Sequence, residues 1–339
     1  MKTLPLLELE VIGRGAVSPA GCTVDALRTL PPPPSEKEAF LSRPDETTPV
    51  RHVDLGLEAL RRRQQEPRLR RASPLALFLT EAAGQALASA PDLPLARVGL
   101  VCALSTGSIR YSRKFYADAL RQGRRFASPV LFPETVYNSP VSHVAAALGL
   151  GGACYTLMGD ETAWIEALRV ARVWLTRGIV DAVIVAGGEE IDSISLEAYR
   201  SSGWLRGEGR LAILPAEGAG AVLVRHPREE SAEGIVITPA ARSFSFGTTA
   251  ERLAAWEKAT VSEDSLPLVL PASIAPPDLS GQIAIARTME RLSPDWGFAF
   301  TASTAWSFLQ ALNYRSVQGK PFRLLVPGSN AAVSSATFA

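Results

Sequence analysis

Residues Phe132 to Glu190 read FPETVYNSPVSHVAAALGLGGACYTLMGDETAWIEALRVARVWLTRGIVDAVIVAGGEE. Asn138-Ser139-Pro140 opens a helix, because proline is accepted in the first helical turn, where its missing N–H goes unneeded. A short strand follows from Tyr155. Met158-Gly159-Asp160 then turns sharply into a long apolar helix that starts near Thr162 and stops at Arg177-Gly178, and a buried strand runs to Gly187-Gly188-Glu189. Helices and strands in alternation predict an α/β chain. Two carboxylates, Asp160 and Glu161, fall at the start of the long helix, where free amide N–H groups and the helix dipole favour negative charge. Asp160 is the expected N-cap. The pair either caps the helix or works as a buried acid or base.

Outward from this segment the pattern continues. Leu6 to Ile12 is a strand that enters the turn Gly13-Arg14-Gly15-Ala16-Val17-Ser18-Pro19-Ala20-Gly21. A dinucleotide fingerprint would need the third glycine of G-x-G-x-x-G and an acidic residue about 20 positions on, and that glycine is missing. A charged segment holds Arg61, Arg62, Arg63, Arg68, Arg70 and Arg71, which reads as a solvated face or as a docking surface for an acidic partner. A helix from Pro74 to Ala90 leads into the strand Val98 to Leu104, and Ser105 to Ser108 opens a segment with the large side chains Ile109, Tyr111, Phe115 and Tyr116. Those side chains pack the core or line a seam. Strand Gly218 to Arg225 closes the first half, and Pro227 to Glu233 breaks the chain.

The second half repeats the plan in shorter form. Strands are expected at Gly234 to Thr238, Leu268 to Pro271, Phe298 to Thr301, Phe322 to Val326 and Ala331 to Phe338, with helices at Gly281 to Leu292 and Thr304 to Leu312. Two units follow, 1–230 and 231–339.

With 339 residues and 47% hydrophobic content the chain can bury a large core. A net charge of +1 gives no basic excess for nucleic acid. No apolar run approaches the ~20 residues that cross a bilayer, and Met-Lys-Thr-Leu-Pro is no signal pattern, so a cytoplasmic location is expected. Cys22, Cys102 and Cys154 are odd in number and widely spaced, which implies neither a disulfide framework nor a metal site. They read as buried small hydrophobes.

The motifs Asn138-Ser139-Pro140-Val141-Ser142-His143, Arg177-Gly178 with Asp181, Gly187-Gly188-x-Glu190, and Glu217 ahead of Gly218-Ala219-Gly220 resemble those of the β-ketoacyl-acyl-carrier-protein synthases. The likeness covers residues 6 to 226 well and fades afterwards. It implies a thiolase-like, five-layered αβαβα fold with a shortened second half, and no cofactor. Counting back from Arg177-Gly178 by the family's spacing places Glu161 where that family keeps its catalytic cysteine. A thiolate is stabilised at a helix start. A carboxylate there would make only a labile mixed anhydride with an acyl group.

The family also takes two histidines from its second half to hold the thioester oxygen during decarboxylation, since the developing enolate needs fixed donors. Here His52, His143 and His226 all precede that half. The nearest counterparts are Gly247 to Ala250 and Thr301 to Trp306, and the family's late glycine-rich loop is reduced to Pro327-Gly328-Ser329-Asn330-Ala331. Cys154, on the strand before the elbow, is expected to be buried and inert.

The resemblance thus implies a subunit of the chain-length-factor type that lacks catalytic residues of its own. It would pair with a cysteine-bearing synthase and an acyl carrier protein in bacterial type II polyketide, aryl-polyene or fatty-acid-like synthesis. Ile109, Tyr111, Phe115, Phe132, Asn138, His143 and Tyr155 are the candidates for the subunit interface and acyl tunnel, with His143 expected to bond backbone. The alternative is a divergent acyl-transferring or malonyl-decarboxylating enzyme that uses Glu161 or Asp160.

Overall fold

The computed structural model describes residues 8–31, 33–34, 36–205, 213–227, 235–240, 243–244, 251, 266–273, 289–330 and 332–339. The first half contains β1 (Leu9–Val17), β2 (Glu36–Ala39), β3 (Thr47–Val50), α1 (Glu58–Gln65), α2 (Pro74–Ala88), β4 (Val98–Leu104), α3 (Ile109–Gln122), α4 (Ser139–Leu148), β5 (Cys154–Met158), α5 (Ala163–Thr176), β6 (Ala182–Glu189), α6 (Ser193–Ser201) and β7 (Gly218–Arg225). The second contains β8 (Ile235–Pro239), β9 (Ser243–Phe244), β10 (Leu268–Leu270), β11 (Met289–Arg291), α7 (Phe300–Gln318), β12 (Phe322–Pro327) and β13 (Ala332–Phe338).

Eleven of the described strands form one mixed sheet in the order β11-β10-β12-β13-β8-β1-β7-β6-β4-β5, with β9 beside β13. β4 runs parallel to both β5 and β6, and β7 lies antiparallel between β6 and β1. The halves join where β1 pairs with β8 over Leu9–Val11. Every residue of β4 and β6 is buried, as expected of strands covered on both faces.

α2 starts where Ser73 accepts a hydrogen bond from Ala76 N at 3.2 Å with Pro74 in the first turn, and it packs with α4 on one face of β1, β6 and β7. On the other face α5 and α7 each touch strands of both halves and fill the space between them. Trp164, Phe308, Phe322, Phe338 and Leu324 belong to that inner core. Helices packed on both faces of this large mixed sheet give the mixed α/β architecture of a thiolase-like fold. No described helix is long and apolar enough to cross a membrane.

Close approach requires a residue without a side chain at one point. A Cβ on Gly187 of β6 would stand 2.8 Å from Thr301 O on α7 and 3.0 Å from the Trp164 ring on α5. Nearby, Trp306 Nε1 donates to Val17 O at 3.1 Å and Ala219 O at 3.0 Å, which ties α7 to β1 and β7.

Several expected elements differ. β1 starts at Leu9 and extends to Val17, and residues 6–7 of the expected strand lie outside the described residues. The strand expected at Phe298 to Thr301 is a single bridge at Phe298 with Pro215, and the helix begins at Phe300. Ser303 Oγ accepts from Ala299 N and donates to Gly297 O, a local cap that turns the chain into the helix. The β-branched Thr301 suggests a strand but satisfies its hydroxyl on Ala103 O within the core instead, and the helix expected from Thr304 starts four residues earlier. Of the helix expected at Gly281 to Leu292, 281–288 lie outside the described residues and Met289–Arg291 is strand β11. The connection at 245–250 also lies outside them.

Trp306→Phe would leave two buried carbonyls without that donor while keeping most of the ring volume. It is expected to lower stability by about 2 kcal/mol, read from the denaturant midpoint of the variant against the parent.

Candidate functional site at the Asp160-Glu161 elbow

β5 ends at Met158, and the chain turns through Gly159 into α5, whose N-cap is Thr162 with no side-chain cap of its own. Asp160 is therefore not the N-cap. It sits two residues upstream, where Oδ1 accepts from Thr162 N at 3.0 Å and Thr162 Oγ1 at 2.5 Å, an Asx-type turn. Its Oδ2 accepts from Asn330 N at 3.1 Å.

Glu161 is buried. Oε2 accepts from Ser329 N at 2.8 Å and Ser329 Oγ at 3.1 Å, and its carbonyl accepts from Thr304 Oγ1 at 3.1 Å. Among the described residues Oε1 has no hydrogen-bond partner. The loop between β12 and β13 thus closes over both carboxylates. Gly328 is required there, because a Cβ would fall 2.3 Å from Asp160 Oδ2.

Burial, with Asp160 beside it, pushes the Glu161 carboxyl up to about 8. Burial raises Glu189 and Glu190 to about 7, against opposing bonds from Thr106 and Ser105 and from Arg110 and Leu75 amides respectively. Tyr199 is raised well above the usual phenol range by burial and by its neighbours Glu189 and Glu161.

Tyr199 belongs to an aromatic cluster. It stacks on Trp204 at 5.8 Å and lies 5.8 Å from Phe300, while Phe298 and Phe300 meet at 4.8 Å. Phe40, Val50, Ile191 and Leu196 complete this third core. Phe300 opens α7 with φ +39°, a left-handed conformation uncommon for a bulky residue. Apolar rings fill this part of the interior beside the elbow, and no imidazole lies among them. The sequence reading missed Tyr199, Trp204, Phe298, Phe300 and Ser329. Only the aromatic density around Phe298 signalled the cluster, and no local pattern could pair Ser329 with Glu161.

The three histidines lie elsewhere. His52 bridges Glu217 and Glu38 at 3.0 Å each. His143 does not rest on backbone alone as expected: Nε2 lies 2.9 Å from both oxygens of Glu134. That bond raises the His143 pKa, and bonds from His143 and Ser139 outweigh burial to lower that of Glu134. His226 follows β7.

The remaining candidates gather in one band. Ile109, Tyr111 and Phe115 lie on α3, which buries no residue and packs on the turn Phe132–Thr135; that turn packs on α4, and α4 on β5. Tyr111 is anchored by its hydroxyl to Ala72 O at 3.1 Å, and Phe115 meets Phe132 at 5.6 Å. Phe132 is 56% exposed and Tyr155 51%; Asn138 is exposed too. Tyr116, Leu120, Phe126 and Tyr137 add exposed apolar area on the same band. These aromatics do not pack the core. Cys154 is exposed, against expectation, because β5 ends the sheet and its outer side is uncovered; Cys102 is buried and Cys22 half-buried. Among the described residues no group of histidine, cysteine and carboxylate side chains could hold a metal.

A raised carboxyl pKa stabilises the fold fully below the unfolded value near 4.5 and loses that stabilisation as pH rises through the folded value. Stability should therefore fall between about pH 5 and pH 8. Glu161→Gln is expected to flatten that fall, matching the parent at pH 5 and exceeding it at pH 9, by about 1.4 kcal/mol for each pH unit that separates the folded and unfolded values. Denaturant titrations at the two pH values check it, and parallel profiles would refute the assignment.

The chain matches the family model described as beta-ketoacyl synthase, N-terminal domain, over residues 53–229, more than half its length. No curated protein sequence matches it. Among solved structures it is similar to the ishigamide ketosynthase/chain length factor, at 17% identity and TM-score 0.74 over 97% of this chain and 98% of that one. It is also similar to AntDE:AntF, a type II PKS acyl-carrier protein in complex with its ketosynthase, at 15% and 0.76 over 98% and 99%. A ketosynthase (ApeO) in complex with its chain length factor (ApeC) from Xenorhabdus doucetiae gives 14% and 0.73 over 100% of each chain. At such identities the likeness is one of fold. The family model decides the family: the chain belongs to the β-ketoacyl synthases.

Proposed function

We propose that this chain is a non-catalytic, chain-length-factor-like subunit that pairs with a cysteine-bearing β-ketoacyl-acyl-carrier-protein synthase in type II polyketide, aryl-polyene or fatty-acid-like synthesis in the cytoplasm. The observation that carries the reading is Glu161, a buried carboxyl gripped by Ser329 where the family keeps its sulfur, beside an interior packed with Tyr199, Trp204, Phe298 and Phe300. The site has neither a thiolate to take an acyl group nor an imidazole pair to hold an enolate.

The exposed band supplies the partner surface. β5 has a free edge, and Tyr155, Met158, Phe132 and Tyr116 beside it are costly to leave wet. Antiparallel pairing of β5 with the synthase's equivalent strand would bury an area in the obligate range above about 2,000 Å². Phe115 and Phe132 would then bound the partner's acyl tunnel by volume. The exposed arginines Arg61, Arg70 and Arg71 give an acidic carrier protein a surface to meet. The enzymatic alternative rests on Oε1 of Glu161, which among the described residues is the one oxygen of the two elbow carboxyls without a hydrogen-bond partner.

The isolated chain is expected to gain no acyl mass from an acyl donor, and Glu161→Cys is expected not to restore condensation. Intact-mass analysis and product assays decide this, and an adduct on the parent chain would favour the enzymatic alternative.

Co-expression with a synthase should yield a stable heterodimer. Phe115→Ala or Phe132→Ala should lengthen its products by one or more extension units without abolishing the partner's acylation. Lower yield at unchanged length would mark the seam as structural only, and a monomer that binds no synthase would overturn the proposal.

A further inference from the structure

Arg14 lies half-buried on β1, and its Nη1 donates to Asn313 Oδ1 on α7 at 3.3 Å. Arg28 closes the 3-10 turn Asp25–Arg28, and its Nη2 donates to the same oxygen, also at 3.3 Å. Two guanidinium groups therefore converge on a single amide oxygen. Among the described residues no carboxylate pairs with Arg14, and both burial and Arg28 hold its pKa below the ordinary value. Arg28 has Asp25 at 3.5 Å, a solvent-exposed pair that neutralises little. Like charges this close repel, and one amide dipole offsets only part of the repulsion.

The frame behind them is rigid. Arg14 is held in register opposite Val222 of β7. The turn is pinned by Leu27, whose buried side chain enters the inner core and whose carbonyl accepts from Trp296 Nε1 at 3.2 Å and Gln310 Nε2 at 3.5 Å. Gln310 stands one helical turn before Asn313 on α7, so the helix face that carries the amide is fixed to the turn that carries Arg28.

We propose that the junction of β1, the 25–28 turn and α7, where the Arg14 and Arg28 guanidinium groups meet at Asn313, binds a small phosphate-type oxyanion. The Arg14 and Arg28 forks supply charge-assisted donors from two directions, and the Asn313 amide, turned over, adds Nδ2. Three donor groups that approach from three elements suit a tetrahedral anion better than a planar carboxylate. The ligand is either free inorganic phosphate or the phosphate of a monoester. The site stands apart from the elbow, and the proposal does not depend on the subunit role.

Calorimetric titration of the full chain with inorganic phosphate, glycerol 3-phosphate and acetate, at ionic strength held constant with sodium chloride, tests it. Saturable one-to-one binding of a phosphate is expected, with acetate weaker. Tighter glycerol 3-phosphate assigns a phosphomonoester, and tighter inorganic phosphate assigns the free ion. Arg14→Gln and Arg28→Gln should each weaken binding about tenfold, the loss expected for one charge-assisted donor. Arg28 is exposed, so its variant folds even if Arg14→Gln does not. The proposal is overturned by an absence of saturable phosphate binding, by acetate binding equally tightly, or by Arg28→Gln binding like the parent.

Discussion

At Gly187 the two buried helices meet the sheet. With no side chain on β6 at that point, the backbone of α7 and the ring of Trp164 on α5 both reach van der Waals distance of the strand. The approach sets the depth of α7, and depth decides what its first turn can reach. Thr301 Oγ1 donates to Ala103 O at 2.8 Å and Thr304 Oγ1 to Glu161 O at 3.1 Å, so the start of α7 holds both β4, the neighbour of the strand that enters the elbow, and the elbow itself. A side chain at Gly187 would lift the helix, and the second half would no longer clamp the first.

The clamp explains how two adjacent carboxylates tolerate burial. A carboxylate removed from water needs donors, and backbone amides can supply them only if a loop is delivered to within bonding distance. The loop between β12 and β13 does so, with Ser329 N on Glu161 and Asn330 N on Asp160. Three of the four oxygens are satisfied. The fourth, Glu161 Oε1, has no partner among the described residues, and burial, with Asp160 beside it, keeps the pKa of this carboxyl high despite the bonds from Ser329. Glu189 and Glu190 repeat the scheme on β6: amides of Ser105 and Thr106 serve the first, and amides of Leu75 and Arg110 the second.

What could be read in advance was whatever local pattern controls. The apolar run Val98 to Leu104 and the run ending at Gly187-Gly188-Glu189 specify buried strands with little ambiguity, because a continuous apolar stretch between turn residues has few other solutions. Asn138-Ser139-Pro140 likewise marks the start of α4, which the structure ends at Gly149 with φ 69°. The second half was harder. Phe300 and Thr301 lean towards a strand, and the bond of Thr301 to β4, with the local bonds of Ser303 to Gly297 and Ala299, starts the helix before Thr304. The elbow carboxylates were legible as a position but not as an environment, since Ser329 lies far along the chain. The exposure of Cys154 depended on β5 being the last strand of the sheet, which no property of Cys-Tyr-Thr-Leu-Met reveals.

Beyond the inner core of Trp164, Phe308, Phe322 and Phe338, large apolar side chains gather in two further places. In the interior beside the elbow, Tyr199, Trp204, Phe298 and Phe300 occupy space with one another, and Phe300 does so at the expense of a left-handed backbone. On the outside, Tyr116, Phe126, Phe132, Tyr137 and Tyr155 remain uncovered across α3, the turns beside it and the edge strand. A lone globular subunit gains by the reverse arrangement, since exposed aromatic area is what folding normally removes. Aromatic packing has closed the interior, and the apolar surface that remains faces outward. The proposed subunit role rests on this pairing of a filled interior beside Glu161 with aromatic side chains left uncovered on the surface.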